Sequence, residues 1–534
     1  MKTEKIPYEQ TNRFGKIIID YLTQKDILKP FYKFTPEINS FKKAIEDKSK
    51  ESINRNLLAE TIANQYNGVT IKPLAQKNID ALKIPTTFSV VTAHQLNIFT
   101  GPLYLIYKTL STIKLCSELK ENYPENNFVP VFWLGSEDHD FEEINHFHLF
   151  GKTYTWATDQ KGACGRFDPR SLSGILEELQ PVFGGSENVE HLLSVFRSAY
   201  LESQTLSEAG RKILNELFGD FGLVVVDGDD KYFKSECSAI ITDEIFNLSS
   251  EKIVNETLEK FPYDAQAKPR EINLFYLIDN LRERIIFDKV AGKYLVVNTE
   301  ISFSPAEIRI EIEQNPGHFS PNVILRPLFQ QKVLPSIAFI GGKGEVAYWL
   351  QLKNLFDHHR INFPILLLRD SYLLVDNNTN NKIQKLGFNY ADLFLDENVL
   401  INDYVKKHSS AETNMAHELT VIENEFEKIA KKALNIDPSL EKSVYAEKQT
   451  LVNAIRKLEA KLLKAEKNKM ETEVARIKAI IFKLFPAGNM QERYDNFIPF
   501  YFKYGNGFFD RIIESIEQPE NYFKIIVMDE DASS

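Results

Sequence analysis

Two stretches of this chain share one pattern: an apolar run, a polar or glycine-rich loop, an amphipathic run and a second apolar run. In the first, Phe88–Ala93 is mostly apolar and ends in His94-Gln95. A polar loop then leads to Thr100-Gly101-Pro102, and Leu103, Ile106, Tyr107, Leu110, Ile113 and Leu115 recur close to a 3.6-residue period. Phe128–Leu134 is apolar again and ends in Gly135-Ser136-Glu137-Asp138-His139-Asp140. The pattern predicts strand, loop, helix and strand, with polar residues gathered at the carboxyl ends of both strands. The second stretch mirrors it, with a strand at Ile337–Ile340, a loop at Gly341-Gly342-Lys343-Gly344, a helix over Glu345–His359 and a strand at Pro364–Leu368. Between them Phe221–Asp227, FGLVVVD, reads as a short strand buried on both faces. Together these units predict an α/β core around a parallel sheet. Ligands bind such sheets at the strand carboxyl ends, above all where the strand order reverses.

The rest of the chain surrounds that core. Residues 1–86 are mostly helical in pattern, with Phe14, Ile17, Ile18, Tyr21 and Leu22 on one face, and suggest packing rather than chemistry. His146 and His148 alternate with Phe147 and Leu149 ahead of Gly151-Lys152, which predicts a β-hairpin. A loop with Gly162, Gly165, Gly184 and Gly185 and a helical stretch at Val189–Leu201 follow. RIIFDKVAGKYLVVN predicts a second hairpin with its tip at Ala291–Lys293. From about residue 396 the chain turns charged and helical. Over Glu412–Leu434 and Leu440–Leu484 apolar residues step by four and three, as in Leu451, Ile455, Leu458, Leu462 and Ala465. This predicts a long antiparallel coiled coil that turns near Asn435–Pro438 and shifts register near Glu466–Lys469. The aromatic tail from Phe485 is expected to fold back on the core, and the final DEDASS to be disordered.

Composition narrows the function classes. The 534 residues are 43% hydrophobic, enough for a large core in more than one unit, and the net charge of −11 argues against nucleic acid or an anionic membrane as main partner. Cys116, Cys164 and Cys237 are scattered without CxxC spacing, so neither a disulfide framework nor a cysteine-rich zinc site is expected. The amino-terminal residues have no apolar signal region and no run of about 18 apolar residues occurs. A soluble cytoplasmic protein is expected.

Chemistry concentrates at the strand ends. The helix start at Thr100–Pro102 offers unpaired N–H groups to a phosphate or carboxylate. GGKGE is neither Walker A nor GxGxxG; its glycines either turn the backbone into a helix or admit a phosphate, with Arg326, Lys343 and Arg369 adding charge. SEDHD invites a metal reading through Asp138, His139, Asp140, His146 and His148, but acid–base or substrate-orienting roles for His94, His139 and Asp140 suit the pattern better, and no bound metal is expected. No GxSxG elbow is present.

The phrases AHQLNIFTGPLYLIYK, VPVFWLGSEDHDFEEINH, SPNVILRPLFQ, AFIGGKGEVAYWLQLK and LFPAGNMQER, in this order over nearly the whole chain, closely resemble the BshC family, the cysteine ligases of bacillithiol biosynthesis. The resemblance implies a Rossmann-like core with connective insertions, followed by a coiled coil through which members form homodimers. That places the core at 1–395, the insertions at about 142–220 and 230–320, and the helical domain at 396–534. It implies a reaction adding L-cysteine to the amino group of glucosaminyl malate, with ATP as cosubstrate activating the carboxylate by analogy of fold. No HIGH or KMSKS signature is present, so synthetase roles do not transfer residue by residue. The mechanistic expectation assigns catalytic roles to His94, His139 and Asp140. It assigns substrate or nucleotide binding to Gln95, Thr100, Gly101, Asp138, Asn322, Arg326, Gly341, Gly342, Glu345 and Arg369. Two other readings stay open: a metal-dependent hydrolase or transferase built on Asp138-His139-Asp140, and a non-catalytic dimeric scaffold.

Overall fold

The computed structural model describes residues 2–182, 185–409, 414–517 and 521–528. Its centre is a five-stranded, all-parallel sheet in the order Ile365–Leu368, Ser336–Gly341, Thr87–His94, Asn127–Leu134, Val224–Asp227. Numbered along the chain this is the Rossmann order 3-2-1-4-5 read from its far edge, which reverses between Thr87–His94 and Ser336–Gly341. The strands form because their runs of Val, Ile, Phe and Leu are buried along nearly their whole length, as helices on both faces require. His94 pairs in register with Leu134, so the two polar strand ends expected to converge finish level.

Helix Tyr104–Asn122 returns between the first two strands and buries Leu105, Ile106, Leu110 and Leu115. The single helix expected over Glu345–His359 is two, Lys343–Trp349 and Lys353–His358. The break lets Trp349, Leu350, Leu352, Leu355 and Phe356 all be fully buried, which one regular stripe cannot do. The hairpin pairs His146–Leu149 with Lys152–Thr155, and its turn is Phe150-Gly151, both at positive φ (49° and 77°). Helices from the first insertion lead into Val224. The second insertion runs through three helices, including Ser238–Asn247 and Ser249–Leu258, into a five-stranded antiparallel sheet holding the expected second hairpin, Leu281–Asp288 with Lys293–Val296.

A third sheet, with Tyr522–Met528 between Lys2–Pro7 and Ser371–Asp376, joins residues from both ends of the described chain. The tail therefore does return to the core, and the amino-terminal stretch expected to be mostly helical opens with a strand. The coiled coil follows as Ala416–Leu434 packed antiparallel on Leu440–Lys469, with Glu427 bonded to Tyr445 and Lys448 across the pair. The expected register shift is a helix break at Met470 ahead of Glu471–Leu484. Gly184, residues 412–413 and the DEDASS tail lie outside the described residues. Among the described residues no helix is long and apolar enough to cross a membrane.

Candidate active site

A cleft of about 650 Å³ opens over the carboxyl ends of the strands, at the point where the order reverses. Eight of its lining side chains are Lys or Arg and four are Asp or Glu, on a chain whose net charge is −11. Lys268, Arg270, Arg326, Lys343 and Arg493 have no carboxylate within ion-pair distance among the described residues.

The floor is built from the two mirrored units. His94 closes the central strand, with Nδ1 3.1 Å from its neighbour's carbonyl, Gln95 O, and Nε2 2.9 Å from the Tyr104 hydroxyl. Nδ1 therefore carries the proton and donates, while Nε2 accepts from Tyr104. Burial, then the nearby Lys108 charge, pull the His94 pKa down to about 4, so the ring is neutral. Lys108, one turn along the same helix, is buried; it donates to Ala93 O at 2.8 Å and pairs with Glu345. The Glu345 carboxylate also accepts from Gly342 N–H at 2.8 Å. The glycine N–H expected to face a phosphate is thus capped from within the chain, and Gly341, whose carbonyl accepts from Arg369 N–H, ends its strand outside the lining.

Arg369 and Arg326 both line the cleft. Arg369 is 4% exposed and donates to both Glu492 oxygens, at 2.9 and 2.7 Å. Arg326 donates only to neutral groups, Gln330 Oε1 at 2.8 Å and the Tyr348 hydroxyl at 2.9 Å.

The roof comes from SEDHD and the second insertion. Asp138 accepts from Gln95 Nε2 at 2.7 Å and from His139 N–H at 2.8 Å. Burial pushes its pKa up, but these hydrogen bonds and Arg282 outweigh it and hold the carboxyl below the ordinary range. Arg282, on Leu281–Asp288, is 8% exposed, lies over the Phe275 ring and donates to Ser320 Oγ, Pro321 O and His139 Nδ1, the last at 2.7 Å. With Nδ1 accepting, the His139 proton sits on Nε2, and burial followed by the Arg282 charge lowers its pKa. His139 is thereby a neutral ring that presents a donor, which suits the substrate-orienting one of the two roles expected of it. Asn322 lines the cleft and donates to Asn273 Oδ1 at 2.9 Å.

Besides Gly341, three expected site residues lie elsewhere. Asp140 is exposed and heads the short helix Phe141–Ile144 outside the lining. Thr100 and Gly101 sit in a bend with positive φ at Phe99, Thr100 and Gly101, and the carboxyl-terminal segment covers them: Asn496 Nδ2 donates to Phe99 O and Gly101 O at 2.9 and 2.7 Å, and Asp495 O accepts from Leu103 N–H. The helix start is real, but protein rather than substrate occupies it. Tyr104, Lys108, Arg282, Tyr348 and the Glu492-Arg493 pair, none of them expected, complete the site. His148 stacks on Tyr494 at 3.8 Å, and neither it nor SEDHD contributes to a metal-ligating cluster among the described residues.

Comparison with known proteins agrees with this architecture. Residues 1–370 match the family model described as "Bacillithiol biosynthesis BshC, N-terminal Rossmann-like domain", and residues 372–528 match its "C-terminal coiled-coil domain". The division falls at the change of sheet after Arg369-Asp370, ahead of the boundary expected near 395. A protein of Flavobacterium psychrophilum is 42% identical over 530 residues, covering 98% of this chain and 99% of its own. One of Christiangramia forsetii is 42% identical over 536 residues, with the same coverage. One of Flavobacterium johnsoniae is 39% identical over 531 residues, 99% of this chain and 100% of its own. All three are named "Putative cysteine ligase BshC". With both family models matched end to end over a Rossmann-like sheet and a coiled coil, the chain belongs to the BshC family of bacillithiol biosynthesis.

Proposed function

We propose that this protein joins the carboxyl group of L-cysteine to the amino group of glucosaminyl malate, forming bacillithiol, with ATP activating the carboxylate. The cationic surplus at the sheet's switch point carries this reading, because a nucleotide and the malate of glucosaminyl malate, with its two free carboxylates, are both polyanions. The cations fall into two groups that fit two anionic substrates. Arg326, Lys343 and Arg493 lie about the strand ends, and Lys268, Arg270 and Arg282 come from the second insertion.

Amide formation needs one carboxyl oxygen of cysteine to leave, and a phosphoryl or adenylyl group on that oxygen makes it a leaving group. The amine nitrogen then attacks the carbonyl carbon, the C–O bond to phosphorus-bearing oxygen breaks, and the amine proton passes to solvent. The residues bind and orient: unpaired cations offset the charge that builds on the departing phosphate, and His139 Nε2–H offers a donor to a substrate oxygen. His94 stays neutral and fixes the Tyr104 hydroxyl. The coiled coil, which leaves Val421, Ile429, Leu451 and Leu458 exposed, pairs two copies, and sedimentation of the purified protein reads this directly.

The experiment is a mass-spectrometric assay of purified protein with cysteine, glucosaminyl malate and ATP, following thiol product and nucleotide together. Product with AMP identifies adenylate chemistry, and product with ADP an acyl phosphate. No product from folded protein counts against the proposal.

A further inference from the structure

Away from the cleft, three side chains converge where the second insertion meets the sheet. Asp243 stands on helix Ser238–Asn247; His358 closes helix Lys353–His358, and His359 follows it. His358 Nε2 lies 3.1 Å and His359 Nε2 3.7 Å from the same oxygen, Asp243 Oδ2. The two rings stand 4.8 Å apart at 82°. Asn247 Nδ2 donates to the other Asp243 oxygen at 2.8 Å, and the Ser249 side chain also bonds this carboxylate, so its position is fixed.

Asp243 Oδ2 can accept two hydrogen bonds, but of the two rings only His358 is within reach of one; His359 Nε2, at 3.7 Å, is aimed at it without bonding. Aiming two ring nitrogens at it from adjacent residues is the arrangement a metal ion needs. Ligand atoms bound tetrahedrally to zinc at about 2.0–2.2 Å lie about 3.3–3.6 Å from one another; 3.1 and 3.7 Å lie close to that edge, and all three ligand atoms fall within 4.8 Å of one another. The Asp243 and His359 side chains are 20% and 10% exposed and His358 is 41% exposed, so an ion enters, and keeps a water ligand, on the His358 side.

We propose that Asp243, His358 and His359 bind one divalent first-row cation, zinc by the preference of two imidazoles and a carboxylate, which staples the second insertion to the parallel sheet. The staple acts beside contacts that already dock this helix on the insertion, Asn354 Nδ2 to Thr257 Oγ1 at 3.0 Å among them. The same insertion carries Lys268, Arg270 and Arg282 into the cleft, so the ion sets the position of the roof without touching substrate.

The test uses full-length protein stripped with chelator and titrated with zinc chloride by calorimetry, with bound metal counted by mass spectrometry. Wild type takes up one zinc per chain and its Tm rises with zinc. His358→Ala, at an exposed position, weakens binding by more than about tenfold and loses the zinc-dependent rise with an unchanged circular dichroism spectrum. His359→Gln does the same at the buried position, and His148→Ala keeps wild-type affinity. Absence of zinc uptake by wild type, or uptake retained in both His358→Ala and His359→Gln, overturns the proposal and leaves the cluster as a hydrogen-bonded clasp.

Discussion

Replacing Glu492 by Ala isolates the cost of a charge left alone in the interior. Arg369 and Glu492 are 4% and 2% exposed and joined by two hydrogen bonds, so removing the carboxylate strands a guanidinium out of water. Breaking such a pair costs about 3–5 kcal/mol, whereas an exposed pair is worth only about 0–1 kcal/mol. The loss falls on the strand beside it, because Glu492 and its neighbour Gln491 also accept from the Tyr372 and Leu374 N–H groups. Hydrogen exchange of the peptide holding Leu373–Val375 reads it locally, without treating a chain with several sheets as one two-state unit. Exchange there should accelerate by roughly 10²- to 10³-fold or more. Glu492→Gln keeps an acceptor and loses less. In the double variant Arg369→Met with Glu492→Leu, apolar side chains of similar size replace the pair, and protection should return to near wild type while product formation does not, since Arg369 faces the cleft. Protection within tenfold of wild type in Glu492→Ala, or a double variant less protected than that single one, would refute the reasoning.

Other expectations follow from the cleft. Arg326→Ala loses donors to two neutral groups, so its Tm should stay close to wild type while kcat/KM falls by about 10- to 150-fold, the value of one charge-assisted hydrogen bond of about 1.5–3 kcal/mol; equal losses in both would mean Arg326 is structural. The KM for the anionic substrates should rise between 0.05 and about 0.5 M salt, as exposed charges are screened over a Debye length of about 10 Å at 0.1 M; a flat profile counts against the cationic subsites. His94 has an ordinary pKa of 6.5 and one near 4 when folded, so between those values the unfolded chain binds more protons. Its stability contribution is complete above pH 6.5 and is lost as pH falls toward 4; His94→Gln should flatten that part of the Tm against pH curve. His139→Ala removes a donor and leaves Arg282 its bonds to Ser320 and Pro321, so product should fall with little change in Tm; unchanged turnover would remove His139 from the site.

Much of the core was legible because its causes are local. Continuous apolar strands, the loops after them and the four-and-three stepping of the coiled coil specify their elements directly, and the ends of Thr87–His94 and Asn127–Leu134 delivered His94, Gln95, Asp138 and His139 to one cleft. What escaped depends on contacts between distant segments. Arg282 is one Arg in a strand read as half of a hairpin, and only the docking of that sheet over SEDHD buries it against His139. Glu492 and Arg493 come from the tail, which was expected on the core but at no stated place. Thr100 and Gly101 gave a correct helix-start signal and a wrong ligand, because a local pattern cannot say that Asn496 will fill the space. Lys2–Pro7, KTEKIP, carries too little apolar character to announce a strand, and it exists as one because it is an edge against Tyr522–Met528.

That edge has a consequence for biosynthesis. Ile6 pairs with Phe523, and Tyr522–Met528 is the only element joining Lys2–Pro7 to Ser371–Asp376 in their sheet among the described residues. At ~5–20 residues per second, a ribosome needs on the order of 25–100 s to travel from the first of these strands to the last. Until then Lys2–Pro7 has no partner in this sheet, and for roughly 6–25 s of that time Arg369 waits for Glu492. The nascent protein therefore passes through a long stage with its parallel sheet made and its cleft unfinished, which is when chaperones and proteases would meet it.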